Sequence, residues 1–236
     1  MSFVISQALD GAIETYDDLL AAITDETDGQ ASASQLAAYI RRAEARIRRK
    51  LAIDPVRPMM VRADITVDGE YVDSPADMVR PFGIELTDGT DRREVVFVET
   101  ENATGVYSSN SLGRDTFTAY TGGGTYPDRF TMLDGEFRFY PVPDTTRTGT
   151  LFYYQELPAI SVDNQNNWLL EAHPDAYLSA ALYYAYRAMP DIDKAAAMKA
   201  IFEEEMAEII EAYPKPENRQ TLSVDSGLAG HRFYGW

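Results

Sequence analysis

Six cations crowd one stretch of the sequence: Arg41, Arg42, Arg46, Arg48, Arg49 and Lys50. On a helix, Arg41 and Arg48 share one flank, and Arg42, Arg46 and Arg49 share the other. Guanidinium groups so placed can grip carboxylates or phosphates through forked hydrogen bonds. The whole chain, however, carries a formal net charge of −17 at pH 7. Such a field repels DNA phosphates, so nucleic acid ranks last among the targets of this cluster. The simplest use is internal: cations favour a helix C-terminal end, and an acidic chain offers many carboxylates to pair with. The alternative is an acidic surface on another subunit or partner. That makes Arg41, Arg42, Arg46, Arg48 and Arg49 candidate partner-binding residues.

Elsewhere the residue types offer little chemistry. There is no Walker A loop, no Gly-x-Ser-x-Gly elbow and no His-Glu-x-x-His pair. The chain has no cysteine, hence neither a disulfide framework nor a thiolate metal site. Of its two histidines, His173 falls at a helix N-terminus and reads as a structural cap rather than a base; His231 lies near the end of the chain. Asp191 and Asp193 are explained by helix capping. Gly122, Gly123 and Gly124 have no helix directly behind them, as a phosphate cradle would require. Asn102-Ala103-Thr104 matches a glycosylation sequon without a secretory signal to support it. Many acids are present, but nothing singles out a glycosidase-like pair. The sequence presents no catalytic set, no cofactor site and no metal site.

The elements that would position these residues are helical at both ends of the chain. Thr15 and Asp18 resemble a capping box, followed by Tyr16, Leu19, Leu20 and Ile23 at helical spacing. Ser34 can cap the cationic helix, with Leu36, Tyr39, Ile40, Ala43, Ile47 and Leu51 as its buried stripe, until Pro55 and Pro58 end it. Pro174 suits the first turn of another helix, and Tyr177, Leu178, Ala181, Leu182, Ala185 and Met189 line one of its faces. Pro190 stops it, and Asp191 caps a last helix whose stripe is Ala195, Met198, Phe202, Met206, Ile209 and Tyr213. The spacing predicts helices over 34–52, 174–189 and 191–213, the last two joined tightly enough for an antiparallel αα-hairpin.

Between them the texture is that of strands. Val61, Ala63, Ile65 and Val67 alternate with polar residues before an Asp68-Gly69 turn and a return strand at Glu70-Tyr71-Val72. Phe82 to Leu86 and Arg93 to Glu99 flank Asp88-Gly89. A helical turn is expected near Asn102 to Val106. Asp134-Gly135, between Phe130-Thr131-Met132-Leu133 and Glu136-Phe137-Arg138-Phe139-Tyr140, is the clearest hairpin signal. A further strand runs from Gly149 to Leu157. The expected fold class is α+β: a helical bundle with an antiparallel αα-hairpin core and a β-rich insert, plus an extended C-terminal arm. The expected divisions are 1–58 and 159–213 for the bundle, 59–158 for the insert and 214–236 for the arm. The N-terminus lacks the basic and apolar regions of a signal peptide. The longest nearly apolar run, Ala180 to Met189, falls short of the roughly 20 residues of a membrane span. A soluble protein is expected, with no membrane partner.

In this order, several segments resemble the head-to-tail adaptor (connector) proteins of tailed bacteriophages and related phage-like particles. They are Ala43-Glu44-Ala45-Arg46-Ile47-Arg48-Arg49, Tyr153-Tyr154-Gln155-Glu156-Leu157-Pro158, and Trp168-Leu169-Leu170 followed by His173-Pro174-Asp175-Ala176-Tyr177-Leu178. The resemblance covers roughly residues 14 to 212 and leaves the segment after Tyr213 outside. It implies a non-enzymatic virion protein in a ring of twelve copies beneath the portal, in the neck between head and tail. Such a protein assembles in the host cytoplasm. Its partners would be neighbouring copies, the portal, tail or stopper proteins, and DNA passing through the channel without specific binding. Alternatives are a stopper or tail-completion protein, or, further off, a cytoplasmic binding module or an enzyme.

The last segment is expected to be an arm. Pro214 and Pro216 prevent the long helix from continuing. Thr221-Leu222-Ser223-Val224 alternates like a short strand, and three aromatics end the chain. Leu222 and Val224 could add to an exposed sheet edge, and Phe233, Tyr234 and Trp236 could fill pockets on a neighbouring subunit or the portal.

Overall fold

The computed structural model describes residues 12–89, 91–98, 106–109, 115–118 and 126–213. Helix α1 (Tyr16–Glu26) begins on the expected capping box: Thr15 Oγ1 accepts from the Asp18 N–H at 3.1 Å, and Asp18 Oδ2 accepts from the Thr15 N–H at 2.9 Å. The Thr15 hydroxyl and nearby backbone N–H groups hold the Asp18 carboxyl below its usual range. Helix α2 (Ala33–Ile53) starts earlier than expected, on Ser32 rather than Ser34. Gln35 supplies the reason, accepting from the Ser32 N–H at 2.8 Å and closing a capping box two residues upstream. A 3-10 turn at Arg57–Met59 then leads into the strands.

Seven strands make one curled, mixed sheet, a half-barrel. They are β1 (Met60–Val67), β2 (Tyr71–Asp73), β3 (Met78–Asp88), β4 (Asp91–Phe97), β7 (Arg129–Leu133), β8 (Glu136–Tyr140) and β9 (Arg147–Gln155). Their order is β1-β9-β3-β4-β7-β8-β2. Neighbours are antiparallel except β4 and β7, which run parallel. Two further strands, β5 (Val106–Ser109) and β6 (Asp115–Thr118), pair only with each other. The helical turn expected near Asn102 to Val106 lies outside the described residues except for Val106, which begins β5.

This architecture overturns the expected fold class. The protein is a β-rich fold carrying five helices among its described residues, not a helical bundle with an αα-hairpin core into which strands are inserted. The difference comes from long-range pairing. β9 lies between β1 and β3, so residues more than eighty positions apart share a ladder, for example Ile65 with Gly149. The Asp68-Gly69 turn does not close a hairpin either. β1 pairs with β9 and β2 with β8, at opposite edges of the sheet. Because these two edges are joined by a short connection, the sheet must curl to bring them near each other. Two expected turns do hold. Asp88 pairs with Asp91 across the β3–β4 turn, and Leu133 pairs with Glu136 around Asp134 and Gly135. Both residues of the second turn have positive φ, as a tight two-residue hairpin demands.

The curl encloses its own apolar core, including Val67, Ile84, Leu86, Val95, Phe130, Phe137, Phe139 and Leu151. Phe130 stacks on Phe139 and meets Phe137 edge-on, with ring centroids at 6.0 and 5.5 Å. The remaining helices are α3 (Trp168–Ala172), α4 (Pro174–Ala188) and α5 (Ile192–Ala212). A second core joins Ile40, Ile47 and Leu51 of α2, Tyr177 and Ala181 of α4, and Phe202 and Met206 of α5. Tyr154 and Leu157 enter it from the end of β9, while Met60, Val79 and Phe82 pack on it from the beginnings of β1 and β3. The helices are thus seated where three adjacent strands present a second apolar surface.

Candidate assembly interface

The cationic helix α2 separates its arginines into two kinds. The Arg46 guanidinium donates to Glu203 Oε1 at 2.6 Å and lies 4.8 Å from the Tyr183 ring centroid and 4.6 Å from that of Phe202. Lys50 donates to the other oxygen of the same carboxylate. The Lys50 hydrogen bond first, and that of Arg46 next, hold the Glu203 carboxyl below its usual range. Arg48 pairs with Glu156 at 3.4 Å, tying α2 to the end of β9. Two of the five candidate arginines are therefore engaged inside the chain, Arg46 with its guanidinium over two aromatic rings as well as on a carboxylate.

Arg41, Arg42 and Arg49 are exposed. Arg41 donates to the Ala37 carbonyl of its own helix at 3.4 Å. Among the described residues, none forms an ion pair with Arg41, Arg42 or Arg49. They lie on the outer side of α2, away from Ile40, Ala43 and Ile47, which point into the helical core. Leu222, Val224, Phe233, Tyr234 and Trp236 lie outside the described residues.

Helix α5 presents the opposite charge. Its buried stripe of Ala195, Phe202, Met206 and Ile209 leaves Glu204, Glu208 and Glu211 exposed on the far side. Burial, and then the charges of Asp175, Glu208 and Glu204, raise the Glu205 carboxyl above its usual range.

Behind these surfaces, buried polar groups lock the segment that joins sheet to helices. Glu44 is 4% exposed and accepts from the Ile160 N–H at 2.7 Å. Burial raises its pKa, and the Ile160 hydrogen bond and the Arg48 charge only partly offset this. Asn167 caps α3 through the Leu169 and Leu170 N–H groups and donates to the Pro158 carbonyl and the Tyr177 hydroxyl, both at 2.7 Å. His173 sits between α3 and α4, but its side chain caps neither helix. Its Nε2 lies 3.2 Å from the Tyr213 hydroxyl, and burial lowers its pKa. Among the described residues no His, Asp or Glu side chains converge as a metal site would, and no helix is long and apolar enough to cross a membrane.

Sequence reasoning found the arginines but not their division. Glu203, Tyr183 and Phe202 are far from Arg46 in sequence, and only the packing of α2 against α4 and α5 joins them. The available signal was geometric: Arg46 is nearest the apolar stripe on its helix, and Arg42 and Arg49 are further round.

A part-buried arginine clamp, an outward basic ridge and an outward acidic helix give the molecule charged outer faces of the kind a structural assembly module uses. The chain belongs to the SU10 adaptor protein family, whose model matches residues 14–225. It is thus a bacteriophage adaptor-type structural protein of the virion. The match runs past Tyr213, where the resemblance had been expected to stop, and includes Leu222 and Val224. No curated protein matches the chain.

Proposed function

We propose that copies of this chain form a ring-shaped head-to-tail adaptor of twelve subunits beneath the portal. The ring extends the DNA channel, offers the attachment surface for tail or stopper proteins, and performs no catalysis. It occupies the neck of the virion after assembly in the host cytoplasm. The observation that carries this reading is the family match over residues 14–225, joined to a net charge of −17. A channel rich in carboxylates lets DNA slide without adhering. The outward arginines of α2 face neighbouring copies or the portal, and residues 214–236 reach out as an arm, with Leu222, Val224, Phe233, Tyr234 and Trp236 as its contacts.

Full-length protein mixed with purified portal particles and imaged by electron microscopy tests this. A ring with an open centre is expected on the portal. Attachment to isolated tails but not to portal would assign the chain to the stopper or tail-completion proteins instead.

A further inference from the structure

Two outward faces of this molecule match each other better than either matches itself. On α2, Ala38, Ala45 and Ala52 recur every seven residues, and Arg42 and Arg49 flank them at the same interval. Ala45, Ala52, Arg42 and Arg49 are exposed. On α5 the outer face carries Ala197, Ala200 and Ala207 with Glu204, Glu208 and Glu211, all exposed. Seven residues of helix span about 10.5 Å, so Arg42 to Arg49 and Glu204 to Glu211 present charges at one common spacing. Alanine lets two helix axes approach to about 8 Å, while the longer charged side chains close over the seam from either side. Each face also has an exposed isoleucine beside it, Ile53 at 73% and Ile201 at 40%. Both would leave water in a packed pair.

Resting on the adaptor reading above, we propose that α2 of one copy docks against α5 of the next, with Arg42 and Arg49 paired to the Glu204, Glu208 and Glu211 face. The occupant of each surface is a second copy of this chain. Charge sets the direction. The α2 face meeting another α2 face brings arginine against arginine, and α5 against α5 brings carboxylate against carboxylate, so pairing of either face with itself is disfavoured. The contact proposed is head-to-tail, each copy giving α2 to one neighbour and α5 to the other, and contacts of that type close into rings when the rotation between neighbours permits. A reciprocal two-fold pair would stop at a dimer in sedimentation and overturns this interface. The inner cations leave this surface available: Arg46 and Lys50 hold Glu203 within the chain, while Arg42 and Arg49 make no ion pair among the described residues.

The test uses the full chain carrying Arg42→Glu and Arg49→Glu in one variant and Glu204→Arg with Glu211→Arg in another. Melting curves of both should match the wild type, since these side chains make no ion pair among the described residues. Self-association is followed by sedimentation velocity over a range of protein and salt concentrations, and by ring formation on portal. Each variant alone should associate at least about tenfold more weakly than the wild type. An equimolar mixture, and a single chain carrying all four substitutions, should regain association, because reversed charges again face each other. A second arm exploits the lack of cysteine in the chain. Ala45→Cys chains mixed with Ala200→Cys chains should form a mixed disulfide dimer that neither gives alone. Rings that persist in both charge variants, or a loss that mixing does not repair, would overturn this interface and leave the adaptor reading intact. Occupation of these faces by the chain's own residues 214–236 would appear as no cross-link between chains, gained only when those residues are deleted, and also overturns it. A wild-type chain that stays monomeric at every concentration and on portal overturns the ring reading and this interface together.

Discussion

Replacing Gly149 with alanine probes the pairing that places β9 at the heart of the sheet. A Cβ at Gly149 would stand 2.1 Å from the Glu85 carbonyl oxygen and 2.9 Å from the Leu86 Cα. Even a close carbon–oxygen approach in a sheet is about 3.3 Å, so the new methyl overlaps its neighbour by roughly 1.2 Å. Both of these obstacles are backbone and cannot rotate aside. β9 must therefore move relative to β3, and it is paired to β1 on its other side. Overpacking of this kind costs about 1–3 kcal/mol, and a clash with fixed backbone belongs at the upper end. For a chain of this length each kcal/mol moves Tm by about 2–4 °C, so a fall of roughly 6–12 °C is expected. Thermal and urea unfolding followed by circular dichroism would measure it. Gly83→Ala in β3 is the control, because a Cβ there meets nothing within 4 Å and its φ is ordinary. It should be neutral or slightly stabilising. A Gly149→Ala protein that melts with the wild type, or a Gly83→Ala protein equally damaged, would refute the close approach of β9 to β3.

Phe202→Ala empties a fully buried site that also stacks on Arg46, and should cost about 3–5 kcal/mol in urea unfolding; an unchanged midpoint would remove Phe202 from the core. Glu44→Gln keeps an acceptor for Ile160 while removing a buried charge. Burial raises the Glu44 pKa in the folded state, so its contribution to stability is greatest below the ordinary value of 4.5 and is lost as pH rises through the folded value. The Tm of Glu44→Gln relative to wild type should therefore climb as pH rises from 4 toward neutrality (about the range in which carboxylates titrate), and a flat difference would show that the wild-type carboxyl pays no burial penalty. Deleting residues 217–236 should leave a folded, soluble monomer with unchanged Tm that no longer joins portal particles in a co-sedimentation assay; retained binding would sink the arm.

The sequence by itself determined the local elements. The Thr15–Asp18 box, Pro174, Asp191, the Asp134-Gly135 turn and the 3.6-residue stripe of α2 each act through neighbours a few positions away, so their effects are written in short stretches of chain. The same holds for the candidate site as an inventory: the arginines of α2 were visible as a cationic cluster in an acidic chain. Only the tertiary structure decided what those elements became. β9 pairs with β1 across more than eighty residues, and alternation of apolar residues states which face of a strand is buried without naming its partner. For that reason Asp68-Gly69 looked like a hairpin turn, although it joins opposite edges of one curled sheet. The roles of the arginines were undecided for the same reason. Whether a guanidinium is clamped or free to bind depends on what packs beside its helix, and Glu203, Tyr183 and Phe202 reach Arg46 only after α4 and α5 have folded against α2.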